Sequence, residues 1–117
     1  MITINDFAAI EIRVGKVLEA TNKEGSEKLI RLKVDFGEFG QRVIFTGVRT
    51  FGYSPEDFSG KQFLFITNLE YRKMLDEESQ GMILAVDSTS LPQVDDEQKE
   101  KPLFISAEGL PAGSKVR

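Results

Sequence analysis

The feature that most restricts the fold of this chain is a set of short segments in which apolar and polar residues alternate. Residues 28–36 (KLIRLKVDF) show the pattern most clearly, with apolar side chains at every second position from Ile30 onward. A period of two residues predicts a half-buried β-strand that has one face in a core and the other in solvent. Arg31 and Lys33 then share the polar face, where a flat partner could contact both; a merely solvated face is the alternative.

Two neighbouring segments carry the same signal. Residues 10–17 (IEIRVGKV) alternate but slip in phase after Gly15, which predicts a β-bulge at that glycine. Residues 41–48 predict another strand, with Arg42 and Thr46 on its polar side. The turn at residues 37–40 (GEFG) separates it from the strand before it and predicts an antiparallel pair.

The centre of the chain contains two apolar runs, residues 63–69 and 82–86, that have the length and composition of buried strands. The polar connection between them carries Arg72, Lys73, Ser79 and Gln80. Loops mounted on a rigid sheet commonly hold binding residues, so this connection is a candidate binding site. A loop that is only solvated remains the alternative.

Short helices are predicted at two places. Thr3 or Asn5 could cap a single helical turn at the start of the chain, and a frayed terminus is the alternative. Residues 54–57 (SPED) combine a cap residue, Pro and first-turn acids, which predicts a short helix between the third and fourth strands. Phe51 and Tyr53, just before it, are expected to plug the barrel end; the alternative is that they stack on a base.

The whole pattern predicts an all-β domain over residues 1–117. Five core strands, a small helix between the third and fourth, and additional pieces at both ends match the OB-fold, a partly open five-stranded barrel. Residues 87–102 are polar and acidic and predict an exposed, mobile loop. Residues 103–105 predict a further short strand, and with Phe7 they form apolar terminal surfaces that a homodimer would cover.

Composition excludes several classes of chemistry. The 117 residues include no Cys and no His, so a thiol nucleophile, an imidazole base and a Cys/His zinc site are absent. No nucleophile is paired with a base at a recognisable spacing, and we expect no catalytic residues, no metal and no cofactor. The apolar runs are too short to span a bilayer and the start does not resemble a signal peptide, so we expect a cytoplasmic protein.

The net charge of −4 argues against a nucleic-acid partner. The distribution of charge is more informative than the sum, because acids cluster at residues 77–78 and 95–100. The cations lie mostly on the predicted strands and beside the central connection, where a local basic surface can form.

Several spaced motifs together resemble one known family. They are, in chain order, residues 10–17 (IEIRVGKV), 24–29 (EGSEKL), 34–38 (VDFGE), 53–56 (YSPE), 68–69 (NL), 72–74 (RKM), 79–85 (SQGMILA) and 113–116 (GSKV). This series closely resembles the tRNA-binding domain family. That family includes the C-terminal domain or separate beta subunit of methionyl-tRNA synthetases and free-standing structure-specific tRNA-binding proteins.

The resemblance implies an OB-fold that dimerises through its terminal extensions and grips the outer corner of tRNA by shape and phosphate contacts. It implies no catalysis; the domain would raise the local tRNA concentration for a methionyl-tRNA synthetase catalytic chain. The implied RNA-binding residues are Lys28, Arg31, Lys33, Asn68, Arg72, Lys73, Ser79, Gly81 and Met82. The cations suit phosphates, Asn68 and Ser79 suit sugar or base edges, and Gly81 permits a close backbone approach.

The chain departs from the family pattern in the central connection. Glu70 and Tyr71 stand where family members commonly carry Lys-Pro, and Asp76 stands near a family Gly. Tyr71 could compensate by stacking on a base. Two other functions remain open: an export-related chaperone of the same family that binds peptides, and a docking domain in a synthetase complex that does not touch RNA. The motif at residues 79–82 resembles the tRNA-binding branch more closely.

Overall fold

A computed structural model describes residues 1–87 and 101–117 of the chain. In this part, one α-helix, α1 (Ile4–Ala8), precedes the strands β1 (Ile12–Asn22), β2 (Ile30–Asp35), β3 (Gln41–Thr46), β4 (Gln62–Ile66), β5 (Arg72–Met74), β6 (Glu77–Ser79), β7 (Met82–Ile83), β8 (Ala85–Asp87) and β9 (Pro102–Phe104). Short 3₁₀ helices cover Gly37–Phe39, Arg49–Phe51 and Pro55–Asp57. The predicted loop at residues 87–102 lies, apart from its ends, outside the described residues.

The main sheet has five strands in the order β3-β2-β1-β4-β7, and every neighbouring pair is antiparallel. Two small sheets, β5 with β6 and β8 with β9, are added to it. The five strands form a nearly closed barrel, which confirms the all-β, OB-like prediction. The helical turn at Pro55–Asp57 also lies between the third and fourth strands, as predicted.

The barrel closes where the segment around Gln80 runs beside the edge strand β3. The backbone N–H of Gln80 donates to the carbonyl of Val43 at 2.8 Å. The N–H of Val43 donates in return to Oε1 of Gln80 at 2.9 Å, and the N–H of Phe45 donates to Oγ of Ser79 at 3.0 Å. The side-chain oxygens of Gln80 and Ser79 thus accept hydrogen bonds that the backbone carbonyls of a paired strand would otherwise accept. The N–H groups of Val43 and Phe45 in β3 are thereby satisfied. We call this contact the seam.

The core lies inside the barrel. It contains the fully buried side chains Phe36, Phe58, Phe65, Ile30, Leu32, Ile44, Val17 and Val34. Phe51 and Tyr53 pack against it, and the ring of Tyr53 lies 5.1 Å from that of Phe104. This packing favours the prediction that they plug the barrel end over the alternative that they stack on a base.

The predicted bulge in β1 is present, but it does not lie at Gly15. The register between β1 and β2 shifts between Val17 and Glu19, beyond the glycine. Gly15 has a different role, because a Cβ there would lie 2.6 Å from Cγ1 of Val34 and 2.8 Å from Cδ1 of Phe65. The glycine is needed for close packing in the core.

Two further expectations need correction. Thr46 was predicted on the polar side of β3, but it alternates in step with Ile44 and only 9% of its surface is exposed. The polar connection between β4 and β7 was predicted as a loop, but β5 and β6 form a hairpin there. Short strands of charged residues lack the apolar alternation that identifies a strand from sequence.

The helix cap predicted near the start of the chain is present, and the apolar residues near both ends are partly exposed. Thr3 caps α1, since the N–H of Asp6 donates to Oγ1 of Thr3 at 3.2 Å and the N–H of Thr3 donates to Oδ2 of Asp6 at 2.9 Å. Leu103 and Ile105 are each 38% exposed, and Phe7 is half-buried.

Within the described ranges 1–87 and 101–117, no helix has the length and apolar character to cross a membrane.

Candidate nucleic-acid interface

The hairpin of β5 and β6 has one face turned to the barrel and one turned away from it. Arg72 pairs with Ser79 and Met74 pairs with Glu77, so these four side chains share the face that is turned to the barrel. Lys73 pairs with Glu78 on the opposite face. Ser79 is 3% exposed and Lys73 is exposed, which agrees with this assignment.

Ion pairs fix the tip of the hairpin to the outer face of the barrel. Nε of Arg31 lies 3.0 Å from Oε1 of Glu77, and its Nη2 donates to Oε2 at 3.1 Å, so the contact is bidentate. Nζ of Lys23 lies 2.6 Å from Oδ1 of Asp76 and 2.8 Å from Oε1 of Glu77. We call Lys23, Arg31, Asp76 and Glu77 the hairpin clasp. Sequence reasoning missed it, because its partners are 46 and 54 residues apart.

The clasp shifts the titration of its own groups. Hydrogen bonds from Arg31, and then from Lys23, hold the pKa of Glu77 below its ordinary value. The hydrogen bond from Lys23 lowers the pKa of Asp76, and the same bond raises the pKa of Lys23. The charged forms of all three groups are therefore favoured in the folded protein.

We expect the clasp to make stability depend on pH in the acid range. Because the pKa of Glu77 is lower in the folded chain than its ordinary 4.5, its contribution is present above that value and is lost as pH falls through the folded pKa. Wild type should thus have a higher urea midpoint than Glu77→Gln at neutral pH, and the two midpoints should converge as pH falls below the folded pKa of Glu77. Glu78→Gln removes the same charge outside the clasp and serves as the control. A constant gap between wild type and Glu77→Gln at every pH would contradict the expectation.

Two grooves flank the hairpin. The first has a volume of about 300 Å³ and brings together Arg72, Ser79, Gly81 and Met82 from the predicted set. The second has a volume of about 560 Å³ and brings together Lys28 and Lys73. Met74 lines both, so six of the nine predicted residues lie around one hairpin.

The predicted cations differ in availability. Within residues 1–87 and 101–117, the side chains of Lys28, Lys33, Arg72 and Lys73 form no ion pair. Arg31 is bound to Glu77. Lys33 lies outside both grooves but shares the outer face of β2 with Arg31, two residues away.

Three predicted residues make contacts inside the protein. Oδ1 of Asn68 accepts from the N–H of Glu11 at 2.8 Å, and its Nδ2 donates to the carbonyl of Ala9 at 2.7 Å. Oγ of Ser79 accepts at the seam and donates to the carbonyl of Gly81 at 3.1 Å. A Cβ at Gly81 would lie 2.8 Å from the carbonyl oxygen of Ile66, so the close approach predicted there is made by the chain's own backbone.

Two apolar or aromatic residues next to the hairpin are accessible. Met82, in the first groove, is 45% exposed, and Tyr71, which lines neither groove, is 44% exposed. Glu70 lines the first groove together with Arg72. Across the described ranges, no cluster of three or more potential metal ligands is present.

The chain is similar to parts of much longer proteins and to whole small ones. It is 44% identical over 103 residues to a methionine–tRNA ligase of Xylella fastidiosa (strain M12), covering 86% of this chain and 15% of that protein. A methionine–tRNA ligase of Stenotrophomonas maltophilia (strain K279a) is 43% identical over the same length, again with 15% of that protein covered. The chain thus spans about 15% of the length of these curated relatives.

Solved structures agree with the fold. A MetRS-related protein from Pyrococcus horikoshii superposes with a TM-score of 0.82 at 31% identity, covering 100% of this chain and 98% of that one. Chaperone CsaA from Bacillus anthracis str. Ames superposes with a TM-score of 0.78 at 25% identity, covering 100% and 99%.

The family model that matches the chain describes a binding domain and not a catalytic one. Its description is "Putative tRNA binding domain", and the match covers residues 12–115. The resemblance carried by the spaced motifs is thereby confirmed over β1 to β9. The chain belongs to this tRNA-binding domain family.

Proposed function

We propose that the chain is a non-catalytic module that binds tRNA through the hairpin and its two grooves. The observation that carries the proposal is the group of cations in the two grooves that form no ion pair within the described residues: Lys28, Arg72 and Lys73. Lys33, also without an ion pair there, is exposed on the outer face of β2. Such cations can neutralise backbone phosphates and release counterions, which supplies most of the affinity in shape-based RNA binding. A net charge of −4 does not oppose this, because a local pair of cations such as Lys28 and Lys73, which line one groove, can contact phosphates whatever the sum.

The contacts in the structure assign different roles to the other predicted residues. Asn68, Ser79 and Gly81 position the interface, since their side chains or backbone are already engaged within the protein. Met82 and Tyr71 are exposed beside the first groove and offer apolar or stacking contacts to a sugar or base. The contact surface that we propose is therefore mainly cationic at its rim and apolar within the first groove.

Two further proposals concern assembly. The relatives that cover this chain are methionine–tRNA ligases, so we propose that the module assists such a catalytic chain by holding tRNA close to it. We also propose a homodimer, with residues 1–117 as one folding unit in each copy. An apolar groove of about 210 Å³ between α1 and the C-terminus, lined by Ile4, Phe7, Ile10 and Val116 among others, supports it.

The proposal is tested by measuring tRNA affinity across a salt series. Four to six phosphate contacts should give a slope of log affinity against log salt between about −3 and −6. Undiminished binding with a flat salt response would rule out the cationic surface as the contact. Retention of a synthetase chain without any tRNA affinity would favour the docking-domain alternative.

A second candidate is a peptide-binding chaperone. The structural similarity to chaperone CsaA favours it, as does the apolar lining of the first groove by Phe45, Val48, Met82 and Ile83. Phe51 and Tyr53 add no support to this candidate, because they pack against the core. Capture of an unfolded polypeptide that excess tRNA does not displace would favour this candidate over the first.

A further inference from the structure

The hairpin clasp has the chemistry of an occupied anion site. Arg31 presents a planar fork of N–H groups, and Glu77 accepts from it with both carboxylate oxygens at 3.0–3.2 Å. This bidentate geometry suits a phosphate as well as a carboxylate. Lys23 adds a second positive charge on the same oxygen of Glu77, at 2.8 Å.

The two cations are placed by the barrel and do not depend on the hairpin. Arg31 lies on β2 opposite Thr21 of β1 and Phe45 of β3, so its backbone is held by a strand on each side. Lys23 follows β1 directly, and its N–H donates to the carbonyl of Leu29 at 2.9 Å. Nζ of Lys23 lies 5.6 Å from the centre of the Phe45 ring, which limits its freedom. A cationic pair would therefore persist if the acids were withdrawn.

The acids, in contrast, sit on a small element that can shift. Asp76 and Glu77 belong to the tip of a hairpin whose strands have three residues each. Leu75 at this tip has φ of 64°, in the left-handed region that leucine rarely adopts, and is 53% exposed. A short, strained and exposed turn is an element that opens at low cost in free energy.

We propose that Lys23 and Arg31 form a phosphate-binding site that Glu77 and Asp76 occupy in the free protein. The inference rests on the proposed function and deepens it: the internal carboxylates compete with RNA phosphates for two cations beside the tip of the hairpin. A polyanion engages the neighbouring cations first and then displaces the carboxylates, because the local phosphate concentration is then high. The acids thus lower tRNA affinity without removing the site.

The test compares Glu77→Gln with Glu78→Gln. Both remove one negative charge from β6, but only Glu77 contacts the cations. We expect Glu77→Gln to bind tRNA about five-fold more tightly than Glu78→Gln at low salt, with a salt slope steeper by about one unit. Adding Arg31→Gln to Glu77→Gln should abolish the gain. Equal affinities for the two single variants would overturn the proposal.

Two additional measurements keep the result unambiguous. Asp76→Asn keeps the bidentate pair of Arg31 and Glu77 and removes one of the two acids from Lys23. We expect it to raise tRNA affinity less than Glu77→Gln does. This variant therefore tests the site even if Glu77→Gln loosens the hairpin. Tripolyphosphate should raise the melting temperature of Glu77→Gln more than that of Glu78→Gln. If tripolyphosphate acts but tRNA affinity does not rise, the site takes free phosphates and not RNA. If wild type fails to bind tRNA at all, the proposed function fails, while the tripolyphosphate comparison still decides on the site.

Discussion

Replacing Lys28 and Lys73 together with Ala should weaken tRNA binding by about 30-fold at low salt. Each exposed contact with a phosphate is expected to contribute about 1 kcal/mol, and 1.4 kcal/mol corresponds to a factor of ten. The two lysines line the same groove and form no ion pair within the described ranges, so their charges are available to a ligand. The salt slope should become shallower by about two units, one for each lost phosphate contact.

Lys16 and Lys61 offer a matched control for this pair. Both are exposed, neither lines a groove beside the hairpin, and their replacement with Ala removes the same total charge. If both double variants weaken tRNA binding equally, the effect is that of net charge, and the second groove is not a contact surface. A loss confined to Lys28 and Lys73 would place phosphates at the hairpin.

The largest expected effect on stability comes from Gly15→Val. A Cβ at position 15 would already lie 2.6–2.8 Å from side-chain atoms of Val34, Phe36 and Phe65, and valine adds two methyl groups. Because interiors are close-packed, this overpacking should lower the free energy of unfolding by at least about 3 kcal/mol. The melting temperature should fall by roughly 12 °C in a chain of this length. Urea and thermal unfolding measure both quantities.

Gly47→Val is the matched control. A Cβ there would meet Cδ2 of Leu29 at 3.8 Å, which is ordinary contact, and Gly47 is exposed with no positive φ. Its free energy of unfolding should change by no more than about 0.5 kcal/mol. Comparable losses for the two glycines would mean that backbone flexibility, and not space in the core, sets the cost at position 15.

The fold was largely predictable because its signals are local. Alternation in residues 30–36 identified β2 and both of its faces, and the turn at Gly37–Phe39 fixed its pairing with β3. The caps Thr3 and Ser54 identified two helical turns from side chains within three residues. The bulge was misplaced because a phase slip in sequence does not distinguish a bulge from a glycine needed for packing.

The candidate site was predictable only as a set of residues. The sequence placed cations beside the central connection, and the structure gathers six of the predicted residues around one hairpin. It did not indicate that Asn68 and Ser79 are engaged internally, since their partners Glu11 and Phe45 are 57 and 34 residues away. Hydrogen-bonding side chains look alike in sequence whether they face solvent, a ligand or the backbone.

The sequence by itself determined the strands of the main sheet, the helix caps and the family, since each depends on periodicity or motifs that neighbouring residues carry. Only the tertiary structure decided which charges remain available. In the sequence, Asp76 and Glu77 indicate a weaker basic surface. In the folded chain they form ion pairs with Lys23 and Arg31. The physical reason is that these ion pairs form only where the hairpin lies against the barrel. The seam at Ser79 and Gln80 sets the position of the hairpin, and a local sequence pattern does not reveal it.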